Sequence, residues 1–269
     1  MSRGISATCG LLLIGVGAIF FLGAVGWIRV DFWQLILPVL LILLGILTLW
    51  TVVNRGGSPE LIELQVPLDK AKGARVRFRF GAGRLSLRAG AHAGHVVEIS
   101  ARGGARTSTT NEGDQKAVEV WVPTEFLGDL LAPWKWSGGE PPSWKGRLPS
   151  GLPLRLDLEI GACEADLDLT DLVVRDFRLA TGASSTTLRL PAAAGETRAR
   201  IFAGAASVKV VIPRGVAARV VTQAGLGEVK VDTSRFPGDG PIYQSDDYSQ
   251  ARNRVDLAVN VGAASVEIG

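Results

Sequence analysis

The chain has 269 residues, 47% of them hydrophobic, a formal net charge of +3 and two cysteines. Its basic and acidic residues are interspersed, which excludes the clustered basic face of a nucleic-acid-binding protein. Cys9 opens an apolar run and Cys163 lies in a strand-like segment, so no disulfide framework is expected and no oxidising compartment is implied.

Charge is distributed very unevenly. The first 53 residues carry only Arg3, Arg29 and Asp31. From Cys9 to Ile28 runs CGLLLIGVGAIFFLGAVGWI, without a charge. At about 1.5 Å per residue this run spans the ~30 Å hydrocarbon core of a bilayer. A second run, Phe32 to Val53, has one amide, Gln34. Residues 1–53 are therefore predicted to form a transmembrane helical hairpin with spans at about 9–28 and 32–53. A signal peptide would account for the first span but not for a second following at once. The Arg29-Val30-Asp31 turn belongs at the interface, because a charge at the bilayer centre costs about 2.5–3.5 kcal/mol. Trp27, Trp33 and Trp50 lie near the span ends, at headgroup depth. Gly10, Gly17 and Ala24 recur every seven residues as a small-residue stripe, and Gly45 offers a matching point for close helix packing. Arg3 and Arg55, then Lys70, Lys72 and Arg75, flank the outer ends while the turn is neutral. The positive-inside rule then expects both termini on the cytoplasmic side of a two-span cell-membrane protein.

Residues 54–59, Asn-Arg-Gly-Gly-Ser-Pro, read as a flexible linker. Residues 60–269 read as an all-β repeat domain, a stacked β-solenoid or a rack of parallel hairpins. LIELQVP, ARVRFRFGAGRLSLRAG, HVVEIS and AVEVWVP alternate apolar and polar residues as half-buried strands do. A Gly step between two strand halves recurs at Gly81, Gly161, Gly182, Gly204, Gly225 and Gly262, and the four copies from Gly161 to Gly225 are 21, 22 and 21 residues apart. Six residues after each Gly the side chain is apolar (Leu87, Leu167, Leu188, Val210, Val231, Ile268), and five after it is polar. That assigns one residue inward and its neighbour outward in every copy. Glycine at the step suits a tight bend or close backbone approach. Alanine follows it in five of the six copies, which suggests a crowded position stacked on its equivalents. A single copy cannot bury its apolar face, so each needs neighbours.

Two segments interrupt the repeat. The first, 123–151, is rich in Pro, Gly and Trp; Trp134, Trp136 and Trp144 could form an exposed partner-contact patch or cap the open end of the stack. The second, Ser234 to Asn253, reads as a structured excursion returning to the final strand.

Little in the chain supports catalysis. The only histidines, His92 and His95, sit in a Gly/Ala loop and are expected to be solvated. No zinc-protease helix motif and no G-x-x-x-x-G-K-S/T phosphate loop is present. Asp166 and Asp168 share a strand face, as a calcium site would need. Lys209 and Lys230 fall at the position of Asp166 in later copies, however, and Arg189 at that of Asp168, so a charge ladder is expected there and no metal. No cofactor, catalytic residue or nucleic-acid partner is expected.

The two apolar runs, including LLLIGVGAIFFLG and FWQLILPVLLILLGIL, are followed by PLRLDLEIGACEADLDLTDLVVRDFRLATGASSTTLRLP, AGAASVKVVIPRGVAARVVTQAGLG and YQSDDYSQARNRVDLAVNVGAASVEI. Together they resemble the LiaF-like family of bacterial cell-wall-active-antibiotic response proteins, whose soluble part is called a toast-rack domain. The resemblance covers nearly the whole chain and is most specific from Pro153 to Ile268, although this chain has only two expected spans. It implies a non-catalytic membrane-bound modulator or scaffold of envelope-stress signalling. The partners implied are the lipid bilayer and a membrane protein such as a sensor kinase; homo-oligomerisation stays open. The alternative is a surface adhesin or self-assembling scaffold with an extracytoplasmic β domain.

Overall fold

The computed structural model describes residues 61–122 and 142–269. All of them belong to the second of two units into which the chain divides at Gly56/Gly57. The expected hairpin, its packing residues Gly10, Gly17, Ala24 and Gly45, and the linker lie outside the described residues. Among the described residues no helix is long and apolar enough to cross a membrane.

Short alternating runs separated by Gly, Pro and Asp turns produce strands throughout. In chain order these are β1 (Leu61–Pro67), β2 (Gly73–Ala89), β3 (His95–Arg102), β4 (Arg106–Glu112), β5 (Gln115–Trp121), β6 (Ser143–Leu148), β7 (Pro153–Asp168) and β8 (Val173–Thr181). Then follow β9 (Ser185–Arg189), β10 (Glu196–Ala203), β11 (Ser207–Val211), β12 (Ala217–Ala224), β13 (Glu228–Val231), β14 (Ile242–Gln244), β15 (Arg254–Val261) and β16 (Ser265–Ile268).

The strands make one sheet that divides at the glycine steps into two wings. The long strands β2 and β7 run through both wings, pairing in parallel from Ala74↔Leu154 to Leu87↔Leu167. The first wing runs β4, β5, β2, β7, β8, β10, β15, β12, β14; the second runs β1, β3, β6, β2, β7, β9, β11, β16, β13. Every neighbouring pair from β5 to β12, and from β6 to β13, is parallel. The inward residues of both wings form one apolar core, in which Leu87, Leu158, Leu167, Leu179, Leu188 and Leu257 are fully buried. Each such side chain contributes about 1.5–3 kcal/mol by leaving water.

Among the six glycine-step copies, spatial order departs from chain order at one place. The final copy, β15–β16 with Gly262, inserts between β10–β11 (Gly204) and β12–β13 (Gly225). Gly262 N–H donates to the Ala203 carbonyl at 2.8 Å, and Gly225 N–H donates to the Val261 carbonyl at 2.8 Å. The segment from Asp232 to Asn253 is the excursion that makes this insertion possible. On its way it adds β14 to β12 and sets Phe236 in the core.

The steps themselves are backbone contacts. A Cβ added at Gly161 would overlap the carbonyl oxygen of Gly81, and one at Gly262 would stand 3.0 Å from that of Gly204. The residue after each step glycine is not crowded, contrary to expectation. Its N–H donates to the preceding copy's glycine carbonyl (Ala183 to Gly161, 3.1 Å; Ala205 to Gly182, 2.9 Å; Ala263 to Gly204, 2.8 Å), which turns the side chain outward. Ala162, Ala183, Ala205 and Ala263 are exposed, and Leu226, the one Leu at this position, is 95% exposed. Crowding falls one residue later, at Gly83, Cys163, Ser184, Ala206, Gly227 and Ala264, all small; Cys163, Ser184, Ala206 and Ala264 are buried.

Adjacent alanines should therefore respond oppositely to enlargement. Ala264→Leu is expected to destabilise the domain by about 1–3 kcal/mol through overpacking, and Ala263→Leu to change stability by less than about 0.5 kcal/mol. Urea unfolding of the two variants checks this; equal losses would show that the buried position has been misassigned.

Candidate interaction surfaces

Because the strands are parallel and in register, outward side chains line up in rows across the strands. On the first wing one row runs Arg155, Asp176, Arg198, Asp256, Arg219, alternating in sign across five neighbouring strands. The next runs Glu119, Arg77, Asp157, Arg178, Arg200. Within it Arg77 donates twice to Asp157 Oδ2, through Nε at 3.1 Å and Nη2 at 3.0 Å. That bond holds the Arg77 guanidinium above its ordinary pKa. Partly exposed pairs of this kind contribute about 0–1 kcal/mol each, so the rows set surface character more than stability.

The charged rows give way to apolar residues toward β14. Arg200 is followed in its row by Ala258, Val221 and Ile242. In the row beside it Phe202 stands between Ala180 and Asn260. Phe202 and Ile242 are 39% and 45% exposed, and the Arg178 guanidinium lies 5.4 Å over the Phe202 ring. A shallow open depression beside them, lined by Ala180, Phe202, Gln223, Asn260 and the step glycines Gly204, Gly225 and Gly262, contains no ionisable side chain.

The second wing carries the acidic run in the expected ladder form. Its middle row reads Glu63, Ser100, Lys145, Ser86, Asp166, Thr187, Lys209, Glu267, Lys230 from one edge strand to the other. Glu164 pairs with Arg84 at 3.4 Å and Asp166 with Arg189 at 2.7 Å. Asp168 accepts from the Thr170 hydroxyl at 2.7 Å and its N–H at 3.1 Å, bonds that lower its pKa. Among the described residues no group of three or more His, Cys, Asp or Glu is placed to hold a metal.

Trp144 corrects the expected aromatic patch. Residues 143–148 are strand β6, with Trp144, Gly146 and Leu148 inward and Ser143, Lys145 and Arg147 at the surface. Trp144 is 1% exposed, packs on Phe80 with ring centroids 5.0 Å apart, and donates its indole N–H to the Gly104 carbonyl at 3.1 Å. Gly146 is required beside it, since a Cβ there would overlap the Leu87 side chain. Trp134 and Trp136 lie outside the described residues. The step glycines stand at the bend between the wings, where neighbouring main chains meet.

The histidine loop is also more structured than its composition suggests. His92 donates its backbone N–H to Glu98 Oε1 at 2.9 Å, and its Nδ1 lies 2.7 Å from the same oxygen. His95 Nδ1 is 3.5 Å away from Oε1, and Arg147 Nε lies 3.4 Å from Oε2. Glu98 is three residues beyond His95 in the sequence, so the signal was within reach: a strand carboxylate following a His-Gly loop. The Glu98 side chain is only 5% exposed. The His92 N–H bond lowers its pKa, burial opposes this, and the His92 side chain lowers it further. The Glu98 contribution to stability is thus fully present above the unfolded glutamate pKa and is lost as pH falls through the lower folded value. Glu98→Gln should flatten the acid limb of the stability–pH curve, below about pH 4.3, in urea unfolding at a series of pH values. An acid limb as steep as that of the unaltered chain would exclude this role for Glu98.

Residues 56–211, more than half of the chain, match the family described as the N-terminal domain of toast_rack, DUF2154. Residues 7–49 match the LiaI-LiaF-like transmembrane region. No curated protein matches the chain. Among solved structures the fold is similar to a "putative cell adhesion protein" from Clostridium sporogenes, with a TM-score of 0.66 and 15% identity over 78% of this chain and 99% of that one. At that identity the likeness is one of fold. The chain therefore belongs to the toast-rack family as a LiaF-like protein, its β domain preceded by a membrane-anchoring segment.

Proposed function

We propose that this chain is a non-catalytic, membrane-anchored β-repeat protein that modulates or scaffolds cell-envelope stress and antibiotic-response signalling through protein contacts. The observation that carries the reading is the junction, in one chain, of a LiaI-LiaF-like transmembrane region and a toast-rack domain. In this proposal the anchor is a two-span hairpin with both termini cytoplasmic, and a membrane protein such as a sensor kinase is the partner. The face of the first wing, with charged rows grading into Phe202 and Ile242, supports a contact role. The depression beside it offers no acid, base or nucleophile pair for a reaction. No cofactor enters the account.

An adhesin with an extracytoplasmic β domain is the second reading, favoured by the fold likeness to the Clostridium sporogenes cell adhesion protein. Sidedness separates the two. Asn111 is exposed on β4, whereas the Cys163 thiol is buried and pushed up to about 11, which keeps it protonated and inert to maleimides. In a chain carrying Asn111→Cys and Cys9→Ser, a membrane-impermeant maleimide applied to intact cells should label only after lysis. Strong labelling of intact cells would overturn the cytoplasmic placement and favour the adhesin. Crosslinking of native membranes followed by mass spectrometry should recover a membrane signalling protein; recovery of none would count against the signalling reading.

A further inference from the structure

The two ends of the β domain are complementary to one another. Counted from β2, the second wing continues through three strands (β6, β3, β1) and the first through two (β5, β4). Counted from the inserted final copy, the first wing continues through two strands (β12, β14) and the second through one, β13. One end thus has the second wing longer by a strand, and the other end has it shorter by a strand. Among the described residues β1 pairs only with β3, and β13 only with β16.

The notch beside β13 also has the right direction, register and chemistry for β1. Strand β1 is antiparallel to β3, which is antiparallel to β6, which is parallel to β2, so β1 runs in the same direction as β13. Along β13 the Glu228 and Asp232 N–H groups donate to the Ala264 and Ile268 carbonyls of the β16 side. By the alternation of a parallel ladder, the N–H groups of Val229 and Val231 point to the open edge. The middle row of the second wing ends on Lys209, Glu267, Lys230 at β13 and begins on Glu63 at β1. A second copy seated in that row sets Glu63 beside Lys230 and continues the alternation of sign. The same register sets inward Ile62 and Leu64 beside inward Val229 and Val231, and all four are only half-buried.

We propose that the open edge of β13 is a docking site for β1 of a second copy of this chain, so that β domains associate head to tail. The contact is heterologous, joining unlike ends, so each added copy presents a new free end and the association is open-ended. Seating β1 fills the notch, and β4 of the incoming copy then falls next to β14, so both wings continue in step. The proposal stands on the β domain alone and holds for either side of the membrane and either functional reading.

The test uses the full chain, with Cys9→Ser, in detergent micelles. One population carries Glu63→Cys and the other Lys230→Cys. Neighbouring strands lie about 4.8 Å apart, within the Cα separation of about 4.4–6.8 Å that a disulfide spans. Mild oxidation of the mixture should give a species of twice the chain mass, and either population alone should give much less. Adding Val231→Pro to the Lys230→Cys chain should abolish the product while leaving the circular dichroism spectrum unchanged, because that N–H does not serve the β16 ladder. A charge exchange without thiols gives an independent check: Lys230→Glu should lower the average mass by light scattering, and Lys230→Glu with Glu63→Lys on one chain should restore it. No product from the mixture, equal products from single populations, or no rescue by the charge exchange would overturn the proposal.

Discussion

Successive copies of the repeat meet at the bend through their main chains, with N–H groups of one step donating to carbonyls of the step before. A Cβ at Gly161 would overlap the Gly81 carbonyl, and at Gly204 or Gly225 it would stand 3.2 or 3.3 Å from the neighbouring step carbonyl. This approach fixes the rest. It pins the strands on both sides of the bend in a common register, so that inward residues fall in layers and outward residues fall in rows. It turns the residue after the glycine to solvent and presses the next one into the core, where only small side chains fit. The charge rows of both wings are consequences of that register, not causes of it.

The second constraint is the insertion of the final copy. Because β15–β16 lies between two copies that precede it in sequence, the core closes only when residues 254–268 are in place. The last layer of the stack is then built from β12 and β13, not from the chain terminus. The excursion closes part of this end. Phe236 enters the core, and Arg235 donates to the Ile212 carbonyl at 2.8 Å while lying over the Phe236 ring. Near the bend the end stays open, with Leu226 in solvent and Val229 and Val231 half covered. A domain of this kind offers surfaces and ends.

Much of this was legible in the sequence. Inward Leu87, Leu167, Leu188, Val210 and Ile268 follow from alternation counted from the step glycines, and the ladder around Asp166 follows from the charges at equivalent positions. Other features were not legible, each for a physical reason. The order of copies in space depends on where a 22-residue excursion returns, and periodicity carries no information about that. SWKGRL alternates as a strand should, but Pro and Gly around it and a glycine in an inward position disguised β6 as part of an insertion, and Trp144 with it. The crowded position at the step lies one residue beyond the recurring alanine. The recurrence of alanine after the glycine reads as a size limit, yet the main-chain bonds at the bend point that side chain outward. The Glu98 cluster does not show in the composition of the histidine loop, because the carboxylate that joins His92 and His95 lies in the strand that follows.

The central claim is that the final copy is locked inside the stack while the copy before it in sequence forms the end. Native-state hydrogen exchange of the full chain tests this most directly, because protection follows spatial position rather than chain order. The account predicts that amides in Val255–Ile268 exchange more slowly than those in Thr222–Val231. Faster exchange in Val255–Ile268, with protection falling steadily toward the C-terminus, would contradict it.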